Sequence, residues 1–498
     1  GNPYSDNNWD TGTKTYTNNT TLLSSTDNGK DGNKKISYGL RLSGELTDVN
    51  FVNNGSIIGI MSDKDYISYG YGIYNSAKMG NIENTGVISG SGIYNGYSEN
   101  YGYGIYNKSS AEIKDITNTG TISGIGDTTK STNGKGYGIY NDSSAKIQDI
   151  INTGLISGYG TGKRVSEGYG IYNSAEMGNI ENKGIISGTG IDNAYDSGKG
   201  YGINNDSSAE IKDIINTGVI SGYGSSANNS VYGYGIYNNS GTIGDITNIG
   251  IISGYGDTSN SSEGYGIYND SNSEEMGAIT NTGVIYGKTN AIKNNSGTIG
   301  TVDNYGILAT QGSSIIEGST GTKNNYGMYI GENGQITVDG GKSSDESIEV
   351  VVGYDKDGNE IKKSMTIRNA TLDGNSGSAT STVSFVLEGE SGEYDNSILN
   401  GKDETLKVSE GNHELNDSII NAYETAVVMD SKDSALILNN TIANGGAAGD
   451  GKVPTIEIKG ENNTLTLKGE SIVNTGGKDN VAITVGGENN VLVLEGNA

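Results

Sequence analysis

Cysteine is absent from this 498-residue chain, which also has only 2 Pro, 2 Phe, 1 Trp and 1 His. Without cysteine, the chain has no disulfide framework and no thiolate ligand for zinc. A catalytic triad would have to use His413, and the surrounding "NHELND" offers no activated nucleophile. We therefore expect a protein that is not an enzyme, with no catalytic residues, no metal site and no cofactor.

Positive charge is also scarce. Lys and Arg total 32 against 59 Asp and Glu, which gives a net charge of −27. A phosphate backbone or an anionic bilayer surface needs clustered cations, so we expect neither nucleic acid nor such a membrane surface as a partner. No run approaches the roughly 20 apolar residues of a membrane helix. Residue 1 begins no signal peptide, and we interpret the chain as a piece of a longer protein.

Glycine and tyrosine are abundant, with 81 Gly and 33 Tyr, and they recur in a repeat. The motif "GYGIYN" at 70–75 returns at 102–107, 136–141, 168–173, 233–238 and 264–269, with "GYGINN" at 200–205. A second motif, "NTGVISG" at 84–90, recurs in step with it. Repeats with periods of 20–50 residues indicate solenoids, propellers or arrays.

Four apolar columns run through the repeat, and they begin at Ile73, Met79, Ile82 and Ile88. They fall on short strands separated by Asn, Gly and Ser, which are turn residues. Strands stacked on the same strands of the next coil make a parallel β-helix, in which the columns become a continuous core. Asparagine columns beginning at Asn75 and Asn84 are expected to form hydrogen-bonded ladders at two corners.

The pattern changes along the chain and predicts three parts. Residues 1–35 lack the repeat and are expected to form an N-terminal cap or irregular segment. Residues 36–309 are expected to form a regular β-helix, and the motif spacing indicates coils of about 32 residues. Residues 310–498 are expected to continue it less regularly, with a protruding hairpin near 348–367 around "DKDGNE". Stacking all of these coils gives about 15–16 coils in one rod of roughly 75 Å.

Serial "GYGIYN…NTGxISG" coils, the lack of cysteine, the acidic Gly/Asn/Thr-rich composition and coils such as "GENNTLTLKG" resemble a known family. They look like the passenger of a type V autotransporter, and most of all like the large fibrous adhesins of Gram-negative anaerobes. The resemblance covers residues 36–498. It implies a right-handed β-helix exported across the outer membrane and displayed at the cell surface. It also implies adhesion to host cells, to other bacteria or within biofilm, as in virulence factors.

The family's C-terminal membrane barrel is missing from this chain, which has no series of ten-residue alternating strands. We expect a monomeric rod that binds a receptor, protein or glycan, on a host or bacterial surface. Strand alternation places Tyr71 with Ile73 on one face and Tyr74 on the other. The candidate binding residues are therefore an outward ladder, which either stacks for stability or binds sugars or proteins: Tyr74, Tyr106, Tyr140, Tyr172, Tyr237 and Tyr268.

Two other functions stay open. Neighbouring coils would place Asp115 near Asp149, and Asp213 near Asp245, about 5 Å apart, a spacing suited to a retaining glycosidase. The same column also contains Asn81 and Asn179, which favours turn capping over a polysaccharide-active enzyme. A passive stalk that holds a distal binding domain is the remaining alternative. The variable loops, such as 91–101, 125–135 and 189–199, leave at one corner and are expected to stack as a ridge.

Overall fold

The computed structural model describes residues 8–29, 31–94, 99–128, 133–338, 347–373, 379–389, 394–447, 453–477 and 479–498, with only the backbone for 271–274. The chain is an all-β parallel solenoid of about 13 turns, with 64% strand and 1% helix. The predicted fold class is confirmed. The single short helix of the described residues is the 3-10 turn Glu332–Gly334.

Residues 8–338 form the first stack of coils. One coil consists of the strands Ile67–Asn75, Lys78–Met79, Ile82–Asn84 and Val87–Ile93. Each strand pairs in parallel with the same strand of the next coil, so that Ile73 lies beside Ile105 and Ile82 beside Ile116. The strands that carry the tyrosine motif are Ile67–Asn75, Asn100–Asn107, Gly134–Asn141, Ser166–Asn173, Gly198–Asp206, Val231–Asn239 and Ser262–Met276. The strand Lys34–Leu42 pairs with the first of them.

A twelve-stranded sheet closes the other long side of the first stack. Its last strand, Ile336–Val338, is antiparallel to its neighbour, Met328–Ile330. The remaining strands are Thr21–Ser24, Ser56–Met61, Val87–Ile93, Thr121–Asp127, Leu155–Gly162, Ile185–Asp192, Val219–Ser226, Ile251–Asp257, Val284–Gly287 and Ile307–Thr310.

The four predicted apolar columns form the core of the first stack. Ile73, Ile82 and Ile88 and their equivalents are essentially inaccessible to solvent and pack in one cluster. Burial of an isoleucine side chain contributes roughly 1.5–3 kcal/mol, and no single coil could bury these side chains alone. Stacking is therefore what provides the core.

Both predicted asparagine ladders are present and buried. In each ladder, the Nδ2 of one asparagine donates to the Oδ1 of the next at 2.8–3.0 Å. One ladder runs from Asn75 to Asn294, and the other runs from Asn18 to Asn325. The second amide hydrogen is satisfied by backbone carbonyls, as from Asn152 to Gly154 and Ile185. These buried amides fix the register, because a shifted coil would leave them unpaired.

Beyond the core, the two long sides of each coil meet through glycine. We call this contact the glycine seam, and Gly70, Gly72, Gly90 and Gly158 are among its residues. A Cβ on Gly90 would lie inside contact distance of the Tyr103 carbonyl oxygen, and one on Gly158 would meet the Tyr169 carbonyl in the same way. The backbones are therefore packed directly against each other, which accounts for the repeated glycines.

Residues 347–498 form a second stack with three main sheets, whose strands are parallel except for the hairpin strand Ser347–Tyr354 at the edge of the first sheet. The first sheet contains Glu360–Asn369, Ser397–Gly401, Ile419–Ala422, Ile442–Gly445 and Ile472–Thr475. The second contains Phe385–Leu387, Glu404–Val408, Thr425–Lys432, Ile456–Glu461 and Ile483–Val485, and the third contains Asn412–Asn416, Ala435–Asn439, Thr464–Lys468 and Val491–Leu494. Leucine, isoleucine and valine fill its own separate core.

The second stack folds back along the side of the first. Asparagines at its strand ends donate to carbonyl oxygens of the first stack at 2.8–3.0 Å, in the pairs Asn369–Tyr326, Asn400–Tyr305, Asn421–Thr282, Asn444–Ile249 and Asn474–Thr217. The acceptor numbers fall as the donor numbers rise, so the two stacks are antiparallel. The expected single rod of roughly 75 Å is therefore wrong, since the coils do not all stack in one line.

The second stack folds back because apolar side chains point outward from the first stack and become buried beneath it. Val219, Ile251, Val284 and Ile307 occupy one outward column and are 0–6% exposed under the second stack. In uncovered coils the same column holds Val87, which is 36% exposed, and Ile185, which is 45% exposed. The apolar contact and the asparagine bonds together hold the two stacks side by side.

The predicted hairpin is present, and its two strands are Ser347–Tyr354 and Glu360–Asn369. The hairpin does not protrude freely, because one of its faces packs on the first stack. Val350 and Met365 of this face are buried against Ile215 and Ile249. The solenoid has about 13 turns rather than 15–16. Segments such as the hairpin strand Ser347–Tyr354 use chain length without adding a turn. The division of the chain at residues 35 and 309 stays a prediction.

Candidate functional site

The predicted tyrosine ladder lies along one outer side of the first stack. Its rings are half-buried and stacked, with centroids 5.3 Å apart for Tyr74–Tyr106, 5.1 Å for Tyr106–Tyr140 and 4.7 Å for Tyr140–Tyr172. Asn204 occupies the next position, and the ladder resumes with Tyr237 and Tyr268 at 5.2 Å. The six predicted residues therefore form two runs of one aromatic column.

A second tyrosine column lies beside the first. Strand alternation predicted Tyr71 on the same face as Ile73, and this prediction is wrong. Tyr71 contacts Tyr74 edge to face at 5.1 Å, so both rings point outward. Strict alternation fails at Gly72, because Gly72 and Ile73 both face the interior. The column stacks continuously at 4.7–5.4 Å and contains Tyr71, Tyr103, Tyr137, Tyr169, Tyr201, Tyr234 and Tyr265.

The sequence did contain a signal for this column. Each of these tyrosines stands between two glycines in "GYG", and glycines cannot fill a core but can line a close backbone contact. The rings are 2–8% exposed, since they are covered by their neighbours in both columns. We call the two columns together the tyrosine face. The Tyr71 column forms its buried floor, and the Tyr74 column offers the accessible ring edges.

Carboxylates receive hydrogen bonds from the tyrosine hydroxyls at both margins of this face. Tyr106 Oη donates to Asp142 Oδ2 at 2.6 Å, and Tyr172 Oη donates to Asp206 Oδ2 at 2.7 Å. At the other margin, Tyr101 donates to Glu99 and Tyr169 donates to Glu167, each at 2.7 Å. Carboxylates thus border the aromatic surface, and one of them, Glu167, is paired with Lys135 at 3.3 Å.

Burial raises the pKa of Tyr74, Tyr140 and Tyr268 to about 12 in each case. The pKa of Tyr106 is raised further, first by burial and then by its hydrogen bond to Asp142. These phenols are therefore neutral donors at physiological pH. A neutral aromatic surface bordered by carboxylates suits the faces of sugar rings, or the cationic side chains of a protein through cation–π contact.

The predicted ridge of variable loops is ordered in its described parts. Asn193 N donates to Gly162 O at 2.7 Å, and Asn193 Nδ2 donates to Thr161 Oγ1 at 2.9 Å in the preceding coil. Ser226 Oγ reaches back to Asp192 Oδ2 at 3.1 Å. Loop residues 95–98 and 129–132 lie outside the described residues. Successive loops therefore stack at one corner, and Tyr195 is 74% exposed there.

The aspartate column braces the coils. Asp149 Oδ1 accepts the backbone N–H of Asn179 at 2.8 Å, and Asp213 Oδ1 accepts that of Asp245 at 2.7 Å. Asn81 Oδ1 does the same for Asp115 at 3.2 Å, so Asn and Asp fill one bonding role. This accounts for their interchange. Burial, with the Asp149 carboxylate as a second cause, raises the pKa of Asp115, and burial also raises that of Asp213.

We predict that Asp115→Asn stabilises the protein at neutral pH. Because the folded-state pKa of Asp115 is raised, its contribution to stability is present below the unfolded pKa of about 3.9 and is lost as pH rises through the folded value. Asparagine has nearly the same size as aspartate and removes the buried charge. Urea unfolding at pH 3.5 and pH 7 should show the advantage of Asp115→Asn only at the higher pH. An equal change at both values would contradict this explanation.

The hairpin turn "DKDGNE" and His413 both make contacts within the fold. Asp355 Oδ1 accepts the N–H groups of Asp357 and Asn359, both at 2.9 Å, in the tight turn of the hairpin. His413 is buried, with Nε2 at 2.6 Å from the Glu410 carbonyl oxygen. Across the described parts of the chain, His, Cys, Asp and Glu form no group of three or more suited to a metal ion. In the same residues, no helix has the length and apolarity to cross a bilayer.

No protein-family model matches the chain, and no curated protein or solved structure is significantly similar to it. The β-solenoid fold is compatible with an autotransporter passenger. The function proposed below therefore rests on the geometry of the coils.

Proposed function

We propose that this protein is a bacterial autotransporter passenger, exported across the outer membrane and displayed on the cell surface as an adhesin. The tyrosine face carries the proposal. It repeats the same half-buried rings, beginning with Tyr74, Tyr106 and Tyr140, on successive coils of a rigid scaffold. Its partner is a receptor on a host or bacterial surface, and the chemistry is that of a glycan or of a protein with cationic side chains.

The spacing supports binding by many weak contacts. Rings about 5 Å apart present one flat strip rather than an enclosed pocket, and each ring alone offers little area. Weak sites joined on one scaffold raise avidity by roughly 10²–10⁴-fold without any strong single site. The acidic margin formed by Asp142 and Asp206 makes contact with a cationic partner weaken as salt rises.

The test is attachment of the purified protein to cultured epithelial cells, bacteria and immobilised glycans. Asparagine is the replacement of choice, because Asn204 already occupies this position in one coil. Tyr140→Asn alone should reduce attachment less than about tenfold, whereas the combined change should reduce it by about 100-fold or more. The combined variant replaces Tyr106, Tyr140, Tyr172 and Tyr237 by Asn.

A control variant carries Thr119→Asn and Thr153→Asn, two exposed positions away from the tyrosine face. It should attach like the parent protein, and circular dichroism should show the same strand content in all variants. If the combined tyrosine variant also attaches like the parent, the tyrosine face is structural only. If the parent attaches to none of these surfaces, the stalk is the better function.

A further inference from the structure

The tyrosine ladder is interrupted at Asn204, where the outer column lacks one ring. Asn204 pairs in register with Tyr172 on one side and with Tyr237 on the other. The strands of these two tyrosines are two strand spacings apart, roughly 9.6 Å. Each uninterrupted step of the ladder separates the ring centroids by only 4.7–5.3 Å. The missing ring therefore leaves a gap that is one ring wide, which we call the ladder gap.

The rings on the two sides of the ladder gap are stacked on one face only. Tyr172 stacks on Tyr140, and Tyr237 stacks on Tyr268, in both cases on the side away from Asn204. Within the described residues, their other ring contacts are edge-to-face contacts with the floor column. Two ring faces without a stacked partner are therefore turned toward the same gap.

The bottom of the ladder gap holds a hydrogen-bond acceptor without a donor. Asn204 is 5% exposed, and its Oδ1 has no partner in the described part of the chain. Buried polar atoms are nearly always paired, so an unpaired one needs an explanation. At the margin, Asp206 accepts the Tyr172 hydroxyl at 2.7 Å and Asn239 Nδ2 at 2.8 Å. No Lys or Arg of the described residues forms an ion pair with Asp206, so its negative charge is not compensated.

At both ends of the ladder, the chain itself places a cation against the last ring. Arg41 stands in register with Tyr74, and its Cζ lies 5.9 Å from the centroid of that ring. Lys293 stands in register with Tyr268 at the other end, and its Nζ lies 5.8 Å from the ring centroid. A cation within about 6 Å of an aromatic ring centroid is attracted to the ring face. No cation of the described residues lies over the two rings that border the ladder gap.

We propose that the ladder gap binds the ammonium group of a lysine side chain on a partner protein. The ammonium group donates to Asn204 Oδ1 and lies between the ring faces of Tyr172 and Tyr237. The Asp206 carboxylate supplies the opposite charge. A sugar hydroxyl would satisfy Asn204 but would leave the charge of Asp206 uncompensated, so the gap favours a protein over a glycan. The partner rests on the proposed function, because the inference names the side chain through which it binds, whereas the site itself is tested without cells.

The test follows a lysine model compound, Nα-acetyl-lysine N-methylamide, by proton NMR in the presence of the purified full chain. Protons that lie between two aromatic faces are shifted upfield by the ring currents, so the ε-methylene protons should move upfield in a saturable manner. Asn204→Tyr restores the missing ring at unchanged net charge, and it should reduce this shift at least about tenfold, because the ring faces and the acceptor are lost together. Tyr140→Asn opens a second gap between Tyr106 and Tyr172, beside the Asp142 carboxylate. It should raise the shift about twofold, because a second gap of the same kind adds to the first.

Two controls make the result specific. Tyr106→Asn opens a gap of the same width, but Lys108 follows this coil's asparagine where Asp142 follows that of the next coil, so the shift should stay at the parent value. The Nζ-acetylated compound carries no charge and should show no shift with the parent protein. Circular dichroism should show the same strand content in all variants, since tyrosine and asparagine both occur naturally in this column.

An equal shift with the parent protein and with Asn204→Tyr would overturn the proposal, as would equal gains in Tyr140→Asn and Tyr106→Asn. The second comparison holds even if Asn204→Tyr does not fold. Cell attachment is measured separately. A parent protein that attaches to cells but shifts no probe would overturn this inference alone, whereas a saturable shift without attachment would support the site and contradict only the adhesin function.

Discussion

Val284→Asp should detach the second stack from the first and lengthen the molecule. Val284 is fully buried between the stacks, and an unpaired buried carboxylate costs about 3–5 kcal/mol. Opening the interface restores water to the charge. The first stack spans roughly 48 Å along its Asn18–Asn325 ladder, and a freed second stack adds about 20 Å at 4.8 Å per coil.

Small-angle X-ray scattering measures this change directly as the longest dimension of the particle. Val87→Asp is the matched control, because Val87 occupies the same column in an uncovered coil and is already 36% exposed. It should leave both the length and the stability nearly unchanged. A parent protein with the length of a single 75 Å rod would contradict the folded-back arrangement, as would equal effects of the two substitutions.

Gly158→Val should destabilise the first stack by about 3 kcal/mol or more. A Cβ at this position meets the carbonyl oxygens of Tyr169 and Gly136 across the glycine seam, and backbone atoms cannot rotate away as a side chain can. The two long sides of the coil would have to separate. Because each coil stacks on its neighbours, the misfit also disturbs the coils above and below.

Ser157→Val is the matched control for this change. Ser157 neighbours Gly158 on the same strand but is only half-buried. Its effect should stay within about 0.5 kcal/mol, as is usual for surface substitutions. The urea unfolding midpoints of both variants provide the comparison. If Gly158→Val unfolds at the midpoint of the parent protein, the seam is looser than its geometry indicates.

Local repetition in the sequence determined the fold class and the core of this protein. Residues that stack on their own equivalents, such as Ile73 and Asn75, can be identified without knowing what lies beside the coil. The same holds for the Tyr74 column, whose neighbours are other copies of itself. Such contacts depend on the period alone, and the period is visible in the chain.

Two features depended on the tertiary structure. Tyr71 points outward because the alternation of side chains changes at Gly72. That change is required only because two backbones meet at the glycine seam, which the sequence does not show. The folding back of the second stack follows from contacts between residues far apart in sequence, such as Asn474 with Thr217 and Ala447 with Val284's apolar cluster. In the sequence, the valines and isoleucines of this column look the same in covered and uncovered coils. Which of its members are buried is decided by the geometry that brings the second stack alongside the first.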